Sequence, residues 1–454
     1  MRGCLSRRAR RYIGGIRMKK RMKVQMKTQM TGRTKKRMTA AMLCLTMAVT
    51  AQFSLTGCGG QEKIQSEAMM KGIKPNTVET SMPLDGEQRI AVADFGVQLF
   101  QESQVNGENI LISPGSVLCA LGMTATGAHG NTLSQMEEVF GMPIGELNEY
   151  LYTYVNNLPM GKKYKLNIAN SMWFEETETG LKRSFLQMNA DYYKGDIYTF
   201  SFEDPVVQDI NLWVSEKTDG MIKDILDEGD GGEDVFLVNA LAFHSEWQEI
   251  YREDQVENGV FTTEDGQEQD VIMMYSPEGL YLEDEKAEGF IKYYADQKYA
   301  FAALLPEKGV SVSAYVSTLT GRRLMDILDH GQNIAVSAAV PKFETDYHAE
   351  IQGMLMEMGI KDAFDDVTAD FSEMFVPEEN GLVVKKVVHQ TYFALDEEKT
   401  KAGAATVVMG TTAGADMTEA EPEKRIYLNR PFVYMLIDCD TKLPIFIGTM
   451  MEIK

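Results

Sequence analysis

The chain has 454 residues, of which 44% are hydrophobic and 25% are charged, and its formal net charge is −22. This is the composition of an ordinary globular protein, and the length alone predicts two or three domains. Residues 1–57 contain fifteen of the 45 Lys and Arg residues and no Asp or Glu, so the remainder carries 30 basic and 67 acidic side chains. Because so acidic a body repels nucleic acid and anionic membrane surfaces, DNA binding is excluded.

The N-terminal segment is predicted to be an export signal. A basic region ends at Arg37, a mostly apolar run covers residues 40–53, and small residues follow, which is the layout of a secretory signal. The run is too short and too interrupted for a comfortable transmembrane helix. It ends in the sequence LTGC, which is similar to a bacterial lipobox, so we expect residues 1–57 to be removed and Cys58 to carry lipid. The protein would then be exported and anchored by lipid in the membrane of the cell envelope, facing outside the cytoplasm; plain secretion is the alternative.

The next segment, residues 58–86, begins with glycines and is polar without sustained periodicity. These properties are typical of a flexible tether. No comparable linker follows until close to the C-terminus, so residues 87–454 are predicted to form one continuous domain. Cys119 and Cys439 both lie in apolar runs, where a free thiol usually behaves as a small buried hydrophobe. The histidines have no metal-ligand spacing, and we expect no metal site and no cofactor.

Helices and strands alternate along the predicted domain. Residues 86–104 have apolar side chains at helical spacing. Ser113-Pro114 is typical of a helix N-cap followed by the first-turn proline. The apolar runs typical of strands covered on both faces are residues 234–247 and 298–307. Residues 333–347 alternate as one strand, residues 381–398 form a long strand, and two more strands end the chain. The pattern predicts an α+β fold with long strands in large sheets.

A series of short motifs then follows one order along the chain. They are Asn109 with SPGS at 113–116, GAHGNTLSQM at 127–136, LNIANSMWF at 166–174, INLWVSEKTDGMI at 210–222, LVNALAFHSEW at 237–247, VPKFE at 340–344, MGIKDAFDDVTADFS at 358–372, VVHQTYFALDEE at 387–398 and RPFVYMLIDCDTKLPIFIGTM at 430–450. In this order and approximate spacing, the chain from about residue 87 onward resembles the serpin family of protease inhibitors.

The resemblance implies a fold and a mechanism. Helices would pack around a large mixed central β-sheet and two smaller sheets, with an exposed reactive loop at about residues 397–425. A serine protease would attack a bond in this loop and form an acyl-enzyme. The N-terminal half of the cut loop would then insert into the central sheet and trap the protease covalently. The protein would therefore be a monomeric suicide-substrate inhibitor of an extracellular serine protease and not an enzyme.

The loop sequence is compatible with insertion on physical grounds. Every second side chain of an added strand is buried under the sheet, so small or β-tolerant residues are needed there. Thr400, Ala402, Ala404 and Thr406 form this inward set, and the outward set is Lys401, Gly403 and Ala405. The predicted hinge consists of Glu397, Glu398, Lys399, Thr400, Ala402, Ala404, Ala405 and Thr406. A loop tip without this role is the alternative.

Two departures from the family pattern bear on function. Lys399 stands where the resemblance leads us to expect glycine, so the start of insertion is stiffer and cleavage could occur without trapping. A non-inhibitory serpin-fold lipoprotein that acts as a binding or scaffolding protein is therefore the alternative function. The loop is also lengthened, and counting from the hinge places the reactive bond at Ala413-Gly414. Since no Lys or Arg lies between Lys401 and Lys424, we expect an elastase-like or subtilisin-like target.

The resemblance also assigns residues to the opening of the central sheet. Ser113, Ser116, Asn239 and His389 match a polar cluster beneath the middle of that sheet. Trp247 matches a tryptophan at the point where the loop first enters. A buried histidine is often only a satisfied core residue, and both interpretations remain open at this level.

Overall fold

The computed structural model describes residues 63–105, 107–176, 180–201, 203–230, 235–376, 383–397 and 424–453. In this part of the chain the α-helices are α1 (Glu87–Glu102), α2 (Pro114–Ala125), α3 (Gly130–Phe140), α4 (Ile144–Asn157), α5 (Arg183–Tyr192), α6 (Val206–Lys217), α7 (Val312–Val316), α8 (Gly321–Asp329) and α9 (Gln352–Met358). The strands are β1 (Glu67–Ala68), β2 (Ile110–Ile112), β3 (Tyr164–Glu175), β4 (Gly180–Leu181), β5 (Asp196–Phe200), β6 (Val235–Ser245), β7 (Val256–Thr262), β8 (Glu268–Glu278), β9 (Leu280–Asp284), β10 (Ala287–Tyr293), β11 (Tyr299–Pro306), β12 (Val336–Pro341), β13 (Phe343–Glu350), β14 (Phe375–Val376), β15 (Lys386–Leu395), β16 (Lys424–Tyr427), β17 (Phe432–Asp438) and β18 (Pro444–Met450).

The central sheet, called sheet A here, has six strands in the order β1-β5-β3-β6-β15-β13. It is mixed: β3 pairs antiparallel with β6, and β15 pairs antiparallel with β13. In the middle, β6 and β15 run parallel and pair from Phe236 with Lys386 to Ala242 with Tyr392. The predicted α+β fold with a large mixed central sheet is confirmed.

The other strands form two further sheets and a short ribbon. Sheet B has the order β2-β18-β17-β11-β10-β9, sheet C has the order β16-β12-β8-β7, and β14 pairs with β4. The strand predicted over residues 333–347 is divided into β12 of sheet C and β13 of sheet A. Pro341 lacks an N–H group, and the chain passes between the sheets at Lys342, whose N–H donates to Ile272 O over 2.8 Å.

Strand β6 shows why its sequence is an uninterrupted apolar run. Phe236, Val238 and Ala240 pack into a core cluster that contains Ile210 and Trp213 of α6. The alternate residues of the strand, including Leu237, Leu241 and Phe243, pack into the main core of the protein. Both faces of β6 are therefore covered, as predicted from the sequence.

Within the described residues, no helix combines the length and the apolar character that crossing a membrane requires.

Helix α2 lies inside the protein. Eleven of its residues, from Pro114 to Ala125, are buried. A helix that is apolar on all sides needs such an interior position. The predicted start of this helix at Pro114 is confirmed, and the helix contacts β6, β3 and β18.

The segment predicted to be a tether differs from that expectation in the part that the structure describes. The pair Glu67–Ala68 adds to the edge of sheet A by pairing with β5. Asp209 Oδ2 accepts hydrogen bonds from Gln65 N (2.9 Å) and from Ser66 N and Oγ (both 2.7 Å). Asp209 is only 2% exposed, so its carboxylate requires such donors. The segment from residue 65 onward is therefore docked on the domain, and its contacts are too irregularly spaced to leave a periodic pattern in the sequence.

Both cysteines of the described domain are free thiols. Cys119 is buried, and burial raises its pKa to about 12. Cys439 is half-buried, and its pKa is also raised to about 12, first by burial and then by Asp438. Because the thiolate is the reactive form, neither side chain is suited to redox chemistry at neutral pH.

Replacing the acceptor of the docked segment tests its contribution. Asp209→Ala is expected to lower the free energy of unfolding by about 1–3 kcal/mol, because three donors lose a charged partner. Urea denaturation measures this change, and tryptic cleavage after Lys71 should become faster. Asp204→Ala is the control, since among the described residues that carboxylate accepts a single hydrogen bond, from Ser201 N (2.6 Å). Wild-type stability and cleavage in Asp209→Ala would contradict the assignment.

Candidate functional site

A row of polar side chains crosses the middle of sheet A. Asn170 of β3 lies directly opposite Asn239 of β6, and Asn239 lies opposite His389 of β15. Their exposed fractions are 9%, 1% and 0%. Polar groups buried this deeply must satisfy one another or groups from the adjacent layer.

Hydrogen bonds join this row to the start of α2. Asn239 Nδ2 donates to Asn170 Oδ1 over 2.5 Å and to Ser116 Oγ. Asn239 Oδ1 lies 2.5 Å from His389 Nδ1, and Ser113 N donates to His389 Nε2 over 3.1 Å. The structure thus brings together four residues that the sequence analysis grouped and adds Asn170. Their part in opening the sheet remains a prediction.

These contacts define the protonation state of His389. Because Nε2 accepts from Ser113 N, the ring proton lies on Nδ1 and is donated to Asn239 Oδ1. Burial, with a smaller contribution from His348, lowers the pKa of His389 to about 3. A second proton on Nε2 would face the Ser113 N–H group, a donor against a donor. The row is therefore uncharged at neutral pH.

Ser113 differs in one respect from its predicted role as a helix N-cap. It occupies the N-cap position, but its side chain makes no capping hydrogen bond. Its Oγ is buried and has no hydrogen-bond partner among the described residues. Its main-chain N–H is used by His389 instead. Asn170 was not singled out from the sequence, because β3 contains other polar residues, among them Asn167 and Ser171, and no pattern marks the one that joins the polar row.

A second set of contacts lies at the C-terminal ends of β6 and β15. Trp247 follows β6 and is 3% exposed. Its Nε1 donates to the main-chain oxygen of Asp396 over 2.9 Å, and Tyr251 N donates to the oxygen of Glu397 over 3.2 Å. Since β6 and β15 are parallel, these bonds lie at the end of the pair where the chain enters residues 398–423. Trp247 is therefore at this end of the sheet and not in the polar row.

Glu397 also forms an ion pair at the same place. Its Oε2 lies 2.7 Å from Nζ of Lys342, the residue between β12 and β13. The hydrogen bond from Lys342 lowers the pKa of Glu397. The two side chains are 44% and 38% exposed, so the pair contributes less than about 1 kcal/mol. It orients the last described residue before the loop segment.

The chain is described again from Lys424, the first residue of β16. Strand β16 pairs parallel with β12 in sheet C. Lys424 Nζ donates to Tyr281 Oη over 3.0 Å and lies 4.5 Å from the centre of that ring. The two ends of the loop segment are thus held by different sheets, A and C.

The remaining predicted site residues lie outside the described part of the chain. They are Cys58, Glu398, Lys399, Thr400, Ala402, Ala404, Ala405, Thr406, Ala413 and Gly414. Their assignments to lipidation, to the hinge and to the reactive bond stay predictions.

Comparison with known proteins agrees with this geometry. The family model described as serpin, serine protease inhibitor, matches residues 90–453. An uncharacterized serpin-like protein of Thermococcus kodakarensis is 28% identical over 373 residues, which cover 80% of this chain and 85% of that protein. The leukocyte elastase inhibitor of Xenopus tropicalis is 27% identical over 377 residues, covering 79% and 97% of the two chains.

Solved structures include a serpin with higher identity. The native state of the thermophilic serpin Tengpin is 42% identical, with a TM-score of 0.80, and the match covers 86% of this chain and 100% of that chain. Its latent state gives a TM-score of 0.71 at 39% identity, covering 83% and 100%. The chain belongs to the serpin family, most of whose members inhibit proteases.

Acidification is expected to weaken the fold through His389. Its pKa is about 3 in the folded protein and about 6.5 in an unfolded chain, so the unfolded state binds more protons between these values. The stabilising contribution of neutral His389 is complete above the upper value and is lost as the pH falls towards the lower one. Urea denaturation should therefore show a steeper loss of stability in the wild type than in His389→Gln.

The exposed His330 supplies the matched control for this experiment. His330→Gln should keep the wild-type pH dependence, because this ring is exposed. Parallel curves for the wild type and His389→Gln would show that His389 does not have the protonation behaviour assigned to it.

Proposed function

We propose that this serpin inhibits an extracellular serine protease as a suicide substrate. The protease cuts the loop of residues 397–425, and the acyl-enzyme is trapped when the N-terminal part of the loop enters sheet A between β6 and β15. Insertion of a loop as an added strand, with release of stored strain, is established behaviour of serpins.

The parallel pairing of β6 and β15 is the observation that carries this proposal. A segment that turns back after β15 runs antiparallel to β15. Because β6 is parallel to β15, the same segment is also antiparallel to β6. Its insertion replaces one parallel contact by two antiparallel ones, which are slightly more stable per residue. The uncut loop cannot take this position easily while its far end is held by β16 in sheet C.

The burial of β6 explains the composition of the loop. The inward-facing side chains of β6, including Leu237, Leu241 and Phe243, pack into the main core of the protein. A strand inserted beside it must therefore have small or β-tolerant side chains at its inward positions. Thr400, Ala402, Ala404 and Thr406 satisfy this requirement.

The nature of the reactive bond supports a target class. Residues 411–415, which include the predicted bond Ala413-Gly414, are small and uncharged. This suits the narrow or apolar pockets of elastase-like and subtilisin-like proteases. A relative of this chain is named as a leukocyte elastase inhibitor. We assign the protein to the outer face of a bacterial membrane, held through lipid on Cys58, because that site would present the loop to extracellular proteases.

A second candidate function rests on Lys399. A lysine at the start of the hinge restricts the backbone more than glycine does. Slow insertion would let water release the protease, and the protein would then act as a non-inhibitory binding or scaffolding lipoprotein.

Mixing residues 59–454 with an elastase, and separately with a subtilisin, distinguishes these functions. The expected result on a denaturing gel is a covalent band at the summed mass and a released C-terminal fragment that begins at Gly414. Complete cleavage with active protease left over would favour the second candidate. In that case Lys399→Gly is the variant that should restore trapping.

A charge on the inward face of the loop should convert the inhibitor into a substrate. Thr406→Arg is expected to be cleaved but to leave the protease active, because a buried unpaired guanidinium is costly and slows insertion. Ala405→Arg is the matched control on the outward face and should still trap. The measurement is the number of inhibitor molecules consumed per protease inactivated. Equal trapping by both variants would show that the inward and outward assignments are wrong.

A further inference from the structure

Trp247 lies where sheet A meets sheet B. Trp247 continues from β6 of sheet A and forms an antiparallel bridge with Tyr294, just after β10 of sheet B. The two rings are stacked, with centroids 4.2 Å apart and an interplanar angle of 7°. Gln248 N donates to Tyr293 O over 3.1 Å, and Ala295 N donates to Glu246 O over 2.8 Å. The residues that hold the base of the loop are thus themselves held by sheet B.

A buried ion pair lies against these aromatic rings. Lys292 of β10 has a side chain only 4% exposed, and its Nζ is 3.0 Å from Oε1 of Glu278 in β8 of sheet C, whose side chain is 10% exposed. The same Nζ lies 5.2 Å from the ring centre of Trp247 and 4.5 Å from that of Tyr251. Ser276 Oγ donates to Glu278 Oε1 over 2.6 Å and lies 3.5 Å from Tyr251 Oη.

The buried ion pair is not expected to add much to the free energy of unfolding. Taking two charges out of water costs several kcal/mol, and replacing a buried pair by uncharged residues of similar size is often neutral or stabilising. Burial raises the pKa of Glu278, and the charge of Lys292 opposes that shift. The pair instead fixes the positions of the rings. The desolvated ammonium group of Lys292 attracts the faces of both rings, and the carboxylate of Glu278 holds the ammonium group in place.

The rings under Lys292 belong to the residues that contact the end of β15. Trp247 donates through its ring Nε1 to Asp396 O, and Tyr251 donates through its main-chain N–H to Glu397 O. A shift of the Trp247 ring would move its donor directly, whereas a shift of the Tyr251 ring would act through the main chain that carries its N–H group. Both bonds lie where an inserting strand would first have to pass.

We infer that Lys292, held by Glu278, is a positioning residue that keeps Trp247 and Tyr251 in place and so holds the base of the loop closed until insertion begins. The inference rests on the proposed function for its biological meaning, but the contact itself is measurable without any protease. The paired charges set how readily the first residues of the loop leave their position on sheet A.

Amide hydrogen exchange of the intact protein tests this inference. The double variant Lys292→Met/Glu278→Gln removes both charges and leaves no unpaired ion to prevent folding. Exchange of the Tyr251 N–H group is expected to become about tenfold faster, in keeping with the loss of buried cation–π contacts. The Asn239 N–H group in the middle of β6 should keep its wild-type rate. Lys292→Arg retains the cation and should restore slow exchange at Tyr251.

A second partly buried pair provides the matched control. Arg323 Nη2 lies 2.9 Å from Asp284 Oδ1, with side chains 25% and 6% exposed, and this pair joins α8 to β9. The variant Arg323→Met/Asp284→Asn should leave exchange at Tyr251 unchanged. Two results would overturn the inference in favour of a purely structural role. One is the same exchange rate at Tyr251 in the two double variants, and the other is an acceleration at Asn239 as large as that at Tyr251 in Lys292→Met/Glu278→Gln.

Inhibition assays separate this inference from the proposed function. If the wild type traps protease, the Lys292→Met/Glu278→Gln variant should consume more inhibitor molecules per protease inactivated than the control pair does, and equal consumption would count against the inference. If the wild type traps no protease, the proposed function fails. The exchange of Tyr251 then decides by itself whether Lys292 positions the base of the loop.

Discussion

The parallel contact between β6 and β15 is the constraint on which the rest of this structure depends. It places the C-terminal ends of two buried strands side by side, and the loop segment leaves from one of them. Parallel neighbours cannot be joined by a tight turn, so the chain between them must make long connections through other sheets. For the same reason, an antiparallel strand inserted between β6 and β15 would pair with both of them.

The contacts across this pair are polar where the surrounding packing is apolar. His389 Nδ1 donates to Asn239 Oδ1 in the middle of the sheet, and Trp247 Nε1 donates to Asp396 O at its end. Hydrogen bonds are directional and can be replaced by equivalent bonds from an inserted strand, whereas a tightly packed apolar contact has to be opened as a whole. Separating β6 from β15 therefore breaks individual hydrogen bonds and does not require an apolar core to be opened.

Sheet A is also bounded on its outer side by the N-terminal segment. Strand β1 covers the free edge of β5, and the buried carboxylate of Asp209 fixes its position. An uncovered strand edge presents unpaired main-chain groups to other chains. The short docked strand covers one edge of the sheet. The opposite edge, β13, carries exposed acidic residues such as Glu344, and these also discourage edge pairing.

Local pattern in the sequence was enough to place α1, α2, β6 and β11, because burial on one or both faces imposes a periodicity that can be read residue by residue. It also grouped Ser113, Asn239 and His389 through the family motifs. It did not indicate Asn170 in the polar row, the docking of Ser66 on Asp209, or the pairing of Lys292 with Glu278. These contacts join positions that are far apart in the chain or in different sheets, Ser66 and Asp209 being 143 residues apart. Whether a polar residue is buried and paired is decided by the strand that lies beside it, and only the assembled sheets bring that strand into place.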